Sequence, residues 1–204
     1  MKLIKNGLVA LCFALPLISI GGSALAQTGD PGRTAERLGD RIEAGREVAA
    51  DSDIDWGRAV AVLDTPYDRV VQAVREYADY RHFLPFFTAS RVVSSRGSSA
   101  IVYMEASVLH GTTTLWANMR MRVRDQNGEG TVVEGRMADG NMADFRARWE
   151  VQPIDDGRRS LLTLRVLIDP DLPLPNSICS NENASTARRT IRALRRRLVT
   201  TPSA

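Results

Sequence analysis

Two histidines and two cysteines are the full complement of those residue types in this chain of 204 residues, and their placement narrows the chemistry. His82 and His110 stand in no metal-ligand spacing such as His-x-x-x-His, and the cysteines form no ligand pair. There is no glycine-rich phosphate loop and no Gly-x-Ser-x-Gly elbow. No metal and no cofactor is expected. Carboxylates are numerous, but Glu105, Glu134, Asp144 and Glu150 fall on strand faces opposite the apolar ones, near arginines of neighbouring strands. Cross-strand charge pairing accounts for them. An acid or base for catalysis would have to be such a group turned inward, its pKa raised by burial. Glu105, His110 and Asp144 are the polar candidates for an interior site, and no catalytic residue is assigned.

The large apolar side chains say more. Phe83, Phe86 and Phe87 crowd one short segment, Tyr103, Met104, Leu115, Trp116, Met119 and Met121 fall on two strands, and Phe145 and Trp149 on a third. Methionine adapts to irregular partners. One by one, these residues suit an ordinary core. Together with Ile191 and Leu194 of the final helix, Phe83, Phe86, Phe87, Met104, Leu115, Met119, Met121, Phe145 and Trp149 form the expected lining of a cavity. A sheet curved round a single helix encloses more volume than one seam of Ala, Ile and Leu fills. Leaving that space empty costs stability, and an apolar ligand would recover part of it.

The elements that would position these residues are marked by periodicity. Gly57–Leu63 reads as a strand. Asp64-Thr65-Pro66 ends it and starts a helix, with Thr65 as cap and Pro66 at the first helical position. Val70, Val71, Val74, Tyr77 and Ala78 form that helix's apolar stripe. Arg81–Phe87 reads as a second helical turn. Six antiparallel strands follow, at Arg91–Ser95, Ala100–Leu109, Thr112–Asp125, Thr131–Met137, Met142–Val151 and Ser160–Ile168, separated by Gly- and Asn-rich turns. Leu115, Ala117, Met119, Met121 and Val123 face one way; Trp116, Asn118, Arg120, Arg122 and Arg124 face the other. A Pro-rich break precedes a long helix from Asn176, or from Asn181, to Val199, whose seam is Ala184, Ala187, Ile191, Leu194 and Leu198. The fold class is α+β: a curved seven-stranded antiparallel sheet wrapped round a C-terminal helix.

Lys2 and Lys5, an apolar run from Gly7 to about Ile20, and Ser23-Ala24-Leu25-Ala26 have the layout of a cleavable secretory leader. Residues 1–26 are therefore expected to be removed, and the rest to work in the periplasm or outside the cell. Residues 27–54 are polar, with a helix over Arg33–Glu47 or a linker. Residues 55–200 form the domain. The net charge is +3, and two of those charges are leader lysines, so nucleic acid is not an expected partner. Beyond the leader only Cys179 remains, so packing must hold the domain without a disulfide. Arg188, Arg189, Arg192, Arg195 and Arg196 give the last helix a basic face, either solvated or docked on anionic lipid.

Val60-Ala61-Val62-Leu63-Asp64-Thr65-Pro66, then Tyr77-Ala78-Asp79-Tyr80-Arg81-His82-Phe83-Leu84-Pro85, then Ser90-Arg91-Val92-Val93 and the later Leu172-Pro173-Leu174-Pro175-Asn176 resemble the START-like, or helix-grip, superfamily. The closest likeness is to its polyketide cyclase/dehydrase and lipid transport branch, which includes coenzyme Q-binding proteins. The likeness spans Trp56 to Val199. It implies a cavity between sheet and last helix used for sterols, lipids, quinones, polyketides or other apolar molecules. These motifs are structural and speak for fold more than for activity. The expected function is binding or transfer of a hydrophobic small molecule, gated by Phe83–Phe87 and the start of the last helix. The alternatives are a cyclase or dehydratase acting in the same cavity, or an interaction module with no ligand.

Overall fold

Along β5 (Thr113–Asp125) Leu115, Ala117, Met119 and Met121 are buried while Arg120, Arg122 and Arg124 are not. The period-two pattern of the sequence is thus the two faces of a sheet. The computed structural model describes residues 30–84, 86–108 and 111–200; the expected leader and His110 lie outside them. Before β5 come α1 (Pro31–Leu38), β1 (Glu43–Glu47), β2 (Trp56–Leu63), α2 (Tyr67–Arg75), a 3-10 turn (Tyr77–Asp79), α3 (Tyr80–Phe83), β3 (Phe87–Arg96) and β4 (Ser99–Val108). After it come β6 (Thr131–Gly140), β7 (Asp144–Ile154), β8 (Arg159–Asp169) and α4 (Asn176–Thr200). The strands form one antiparallel sheet in the order β1-β2-β8-β7-β6-β5-β4-β3. Register shifts in the β3–β4 and β5–β6 pairings bend it.

The sheet has eight strands rather than seven, and the extra one comes from the segment expected to be a helix or a linker. Asp30 caps α1 by accepting from the Gly32 N–H at 3.0 Å, with Pro31 in the first turn. The helix stops after Leu38, because Gly39 takes φ +51°. The chain then extends, and Glu43–Glu47 pairs with Trp56–Val60. Ala35 and Leu38 pack on Val60, Val62, Ile154 and Leu161, on the side of the sheet away from the main core. β2 is therefore covered on both faces.

Two local expectations also change. Pro66 occupies the cap position of α2, and no side chain caps the helix. The Gly157 carbonyl accepts the Tyr67 N–H at 3.0 Å instead. The turn expected over Arg81–Phe87 is the 3-10 turn plus α3, and Phe87 already belongs to β3.

The outer face carries a ladder of charges. No lysine follows Lys5, so the cations are planar guanidinium forks able to bridge two carboxylates. Arg165 reaches Glu47 at 2.8 Å and Glu150 at 2.6 Å; Arg148 joins Glu150 to Glu134. The pairing expected for Glu134 and Glu150 is thus realised. Asp144 instead binds Arg146 of its own strand, and Glu105 accepts from the Tyr103 and Thr88 hydroxyls.

α4 lies on the inner face against β1, β2 and β8. Its N-terminal half is tied down by polar groups. The Asp55 N–H donates to Ser180 at 3.0 Å. The Asn183 amide accepts from the Ile168 N–H and donates to the Asp55 carbonyl, both at 3.2 Å. Ala187, Ile191 and Leu194 then bury their side chains completely.

Candidate functional site

Because α4 lies along the β1–β2–β8 end, the inner faces of β4, β5 and β7 and part of β8 look into a gap beside it. That gap is a cavity of about 530 Å³, within the size range of small-molecule sites. Its sheet wall is made by Met104 of β4, Leu115, Met119 and Met121 of β5, and Phe145 and Trp149 of β7. Phe86 and Phe87 close one side, with ring centroids 5.2 Å apart. All eight belong to the lining expected from sequence.

Tyr80 also lines the cavity, its ring 5.6 Å from that of Phe83 and 6.4 Å from that of Phe87. Its hydroxyl donates to the Val74 carbonyl, and the Trp149 side chain hydrogen-bonds to it. Both polar tips are therefore satisfied in an apolar setting. Burial, with a smaller contribution from neighbouring Tyr77, pushes the Tyr80 hydroxyl well above the usual phenol range, so it stays neutral.

The remaining expected residues are elsewhere. Phe83 packs on the core under the Arg197 guanidinium, 4.6 Å from its ring centroid; Arg197 also binds Glu76 and Asp79 at 2.6 Å each. Ile191 and Leu194 are spent on packing against the sheet, so neither borders the cavity. Glu105 and Asp144 belong to the outer face and do not line it. Among the described residues no three His, Cys, Asp or Glu side chains converge as a metal site would need.

The sequence reading missed the helix wall. Cys179, Glu182, Thr186, Arg189 and Thr190 of α4 border the cavity, as do Leu172, Leu174 and Ile178 before and at its start. Positions 179, 182, 186 and 190 recur at helical spacing on the flank beside the apolar seam, which was the available signal. Burial, and then Asp169, pushes the Cys179 thiol up, so it is a poor nucleophile. The Arg189 guanidinium donates to Glu182 at 3.0 Å and to the Thr186 hydroxyl at 3.3 Å. Leu174 and Ile178 are 36% and 47% exposed, which places the mouth at this end of the helix.

A family model described as polyketide cyclase/dehydrase and lipid transport matches residues 63–195, from the end of β2 into the last turns of α4. No curated protein matches in sequence. Among solved structures, a STAR-related lipid transfer protein from Xanthomonas axonopodis is similar at 16% identity and a TM-score of 0.68, covering 78% of this chain and 94% of that one. The human StAR-related lipid transfer protein 5 is 8% identical with a TM-score of 0.68, covering 78% and 82%. A START superfamily protein from Mycobacterium smegmatis is 11% identical with a TM-score of 0.59, covering 71% and 97%. At such identities the likeness is one of fold, and it is the helix-grip fold expected from the sequence.

Proposed function

Because this chain belongs to the polyketide cyclase/dehydrase and lipid transport family, we propose that it is an exported carrier holding one hydrophobic small molecule between its sheet and α4. The supporting observation is the cavity itself: about 530 Å³ walled by thioethers and aromatic rings. A module without a ligand would close such a space, since dry voids are destabilising. A cyclase or dehydratase would need an acid or base free to act at the reacting atoms; Glu105 and Asp144 face outward, and Glu182 on the cavity wall is already paired with Arg189. Export is supported by the leader pattern of Lys2, Lys5 and Ala24-Leu25-Ala26. Phe86, Leu174 and Ile178 border the mouth and serve as its gate. Native mass spectrometry of protein from its natural host should show a chain beginning at Gln27 with one apolar adduct. Absence of an adduct, together with failure to bind a neutral apolar dye, would sink the carrier reading.

Loading would take place at an anionic membrane surface. The structure thins the basic face expected for this contact. Arg195 donates to the Asp40 and Val62 carbonyls, and Arg189 pairs with Glu182. Arg188, Arg192 and Arg196 are exposed at four-residue intervals, without an acidic partner among the described residues. Each cation near such a surface contributes about 1 kcal/mol. Replacing all three by glutamine should weaken binding to phosphatidylserine-containing vesicles by about a hundredfold in a sedimentation assay at low salt. Unchanged binding would remove the membrane from the scheme.

A further inference from the structure

We propose that the cavity selects a neutral amphiphile whose hydroxyl head lies against the Glu182–Arg189 pair of α4, and that it disfavours a carboxylate head. The inference rests on the carrier reading of this same cavity.

The two walls differ in chemistry. The sheet wall presents thioether and ring carbon. The α4 wall presents Glu182, Thr186, Arg189 and Thr190 at positions i, i+4, i+7 and i+8, which share one flank of a helix. An amphiphile is thereby oriented, tail on the sheet and head on the helix. What the head must be follows from how the flank is already bonded.

Arg189 is committed to Glu182 at 3.0 Å and to the Thr186 hydroxyl at 3.3 Å. The pair is neutral as a unit, but it keeps spare guanidinium donors and carboxylate lone pairs. A ligand hydroxyl satisfies both, donating to Glu182 and accepting from Arg189. A carboxylate has no proton for Glu182. It would either stand as a second anion beside it or take Arg189 away and leave Glu182 without its cation.

Thr190 is the independent observation. It borders the cavity and is 4% exposed as a residue, yet its hydroxyl, which has no hydrogen-bond partner among the described residues, is not sealed off by protein atoms. A ligand filling the cavity would cover that hydroxyl, which is costly if it stays unpaired, and a hydroxyl on the ligand can either donate to it or accept from it. Asn183 next to the cavity cannot serve the ligand in this way, because its amide is used by Asp55 and Ile168. A plain hydrocarbon would leave the Thr190 hydroxyl unpaired. A charged head asks more than the flank offers.

The test is displacement of a neutral apolar dye by dodecanol and by dodecanoate at mildly alkaline pH. The parent protein should prefer dodecanol by about fivefold, the scale of one solvent-screened charge contact. Glu182→Gln leaves Arg189 without its anion and should reverse that order. Thr190→Val should weaken dodecanol alone. The Glu182 and Arg189 side chains are 64% and 46% exposed, so thermal melts should not move in the Glu182 variant. If dodecanoate binds the parent as tightly as dodecanol, or if Glu182→Gln leaves the order unchanged, the head-group inference is overturned and the cavity reading stands. If neither compound displaces the dye, the carrier reading falls with it.

Discussion

Gly57→Ala is expected to destabilise the protein by more than about 3 kcal/mol, above the usual cost of overpacking. A Cβ built on Gly57 would sit 2.0 Å from both the carbonyl carbon and the carbonyl oxygen of Asn183, and 2.4 Å from the Ala184 nitrogen. These are backbone atoms of α4, so no rotamer change relieves the contact. The helix must lift from β2, and the lift strains the bonds that fix it there. Those bonds are the Asn183 amide to Ile168 and Asp55, and the Ser180 hydroxyl to Asp55. In a domain of this size the loss corresponds to a fall in Tm of about 10 °C. Gly45→Ala is the matched control. It lies in β1, and a Cβ there meets nothing within 4 Å, so its effect should stay within about 0.5 kcal/mol. Urea denaturation of both variants decides the matter: equal midpoints would mean that the close approach of β2 and α4 is not what seats the helix.

The two anchors of that helix show where the sequence was silent. Ser180 and Asn183 are ordinary polar residues near a helix start, and nothing in their spacing says that they bond strands distant in sequence. Gly57 likewise reads as a residue of a strand, not as the floor of a helix contact. β5 and β7 were legible because one face meets apolar groups and the other meets solvent, which writes a period of two into the chain. β1 was not legible, because Glu43–Glu47 is an edge strand with no buried residue, held by backbone pairing, ion pairs and the flank of α4 rather than by an alternating apolar face. A trace of it existed next door. The unbroken apolar run Ala59–Leu63 departs from alternation, as a strand covered on both faces must, and α1 supplies the second cover.

The same physics explains the misplaced site residues. Ile191 and Leu194 lie on the helical seam that touches the sheet, and a seam that touches the sheet cannot also border a gap. The cavity belongs to the neighbouring flank, whose mixture of Thr, Glu and Arg resembles a solvated face in sequence. Phe83 looked like a partner of Phe86 and Phe87. What removes it from the lining is Arg197, whose position above the ring depends on the pairing with Glu76 and Asp79 and is invisible before the helices are placed.

Ala147→Phe separates binding from folding, and its effect on binding should be the larger one. Ala147 borders the cavity on β7, between Phe145 and Trp149 on the same face. Its cross-strand neighbours are Gly135 of β6 and Val166 of β8. It is only partly buried although it points inward, so a ring attached there projects into the space a ligand would fill. Filling a cavity commonly raises stability by about 0.5–2 kcal/mol, whereas a ligand that loses its seat loses its contacts outright. The variant should therefore melt at or above the parent temperature and bind the dye at least about tenfold more weakly. It should also lose the rise in Tm that saturating ligand gives the parent, because that rise is RT ln(1 + [L]/Kd). A ring that merely disrupted the core would lower both quantities together, and a ligand bound elsewhere would leave the affinity untouched. Parent-like dye binding by a stably folded Ala147→Phe would therefore place the ligand outside this cavity.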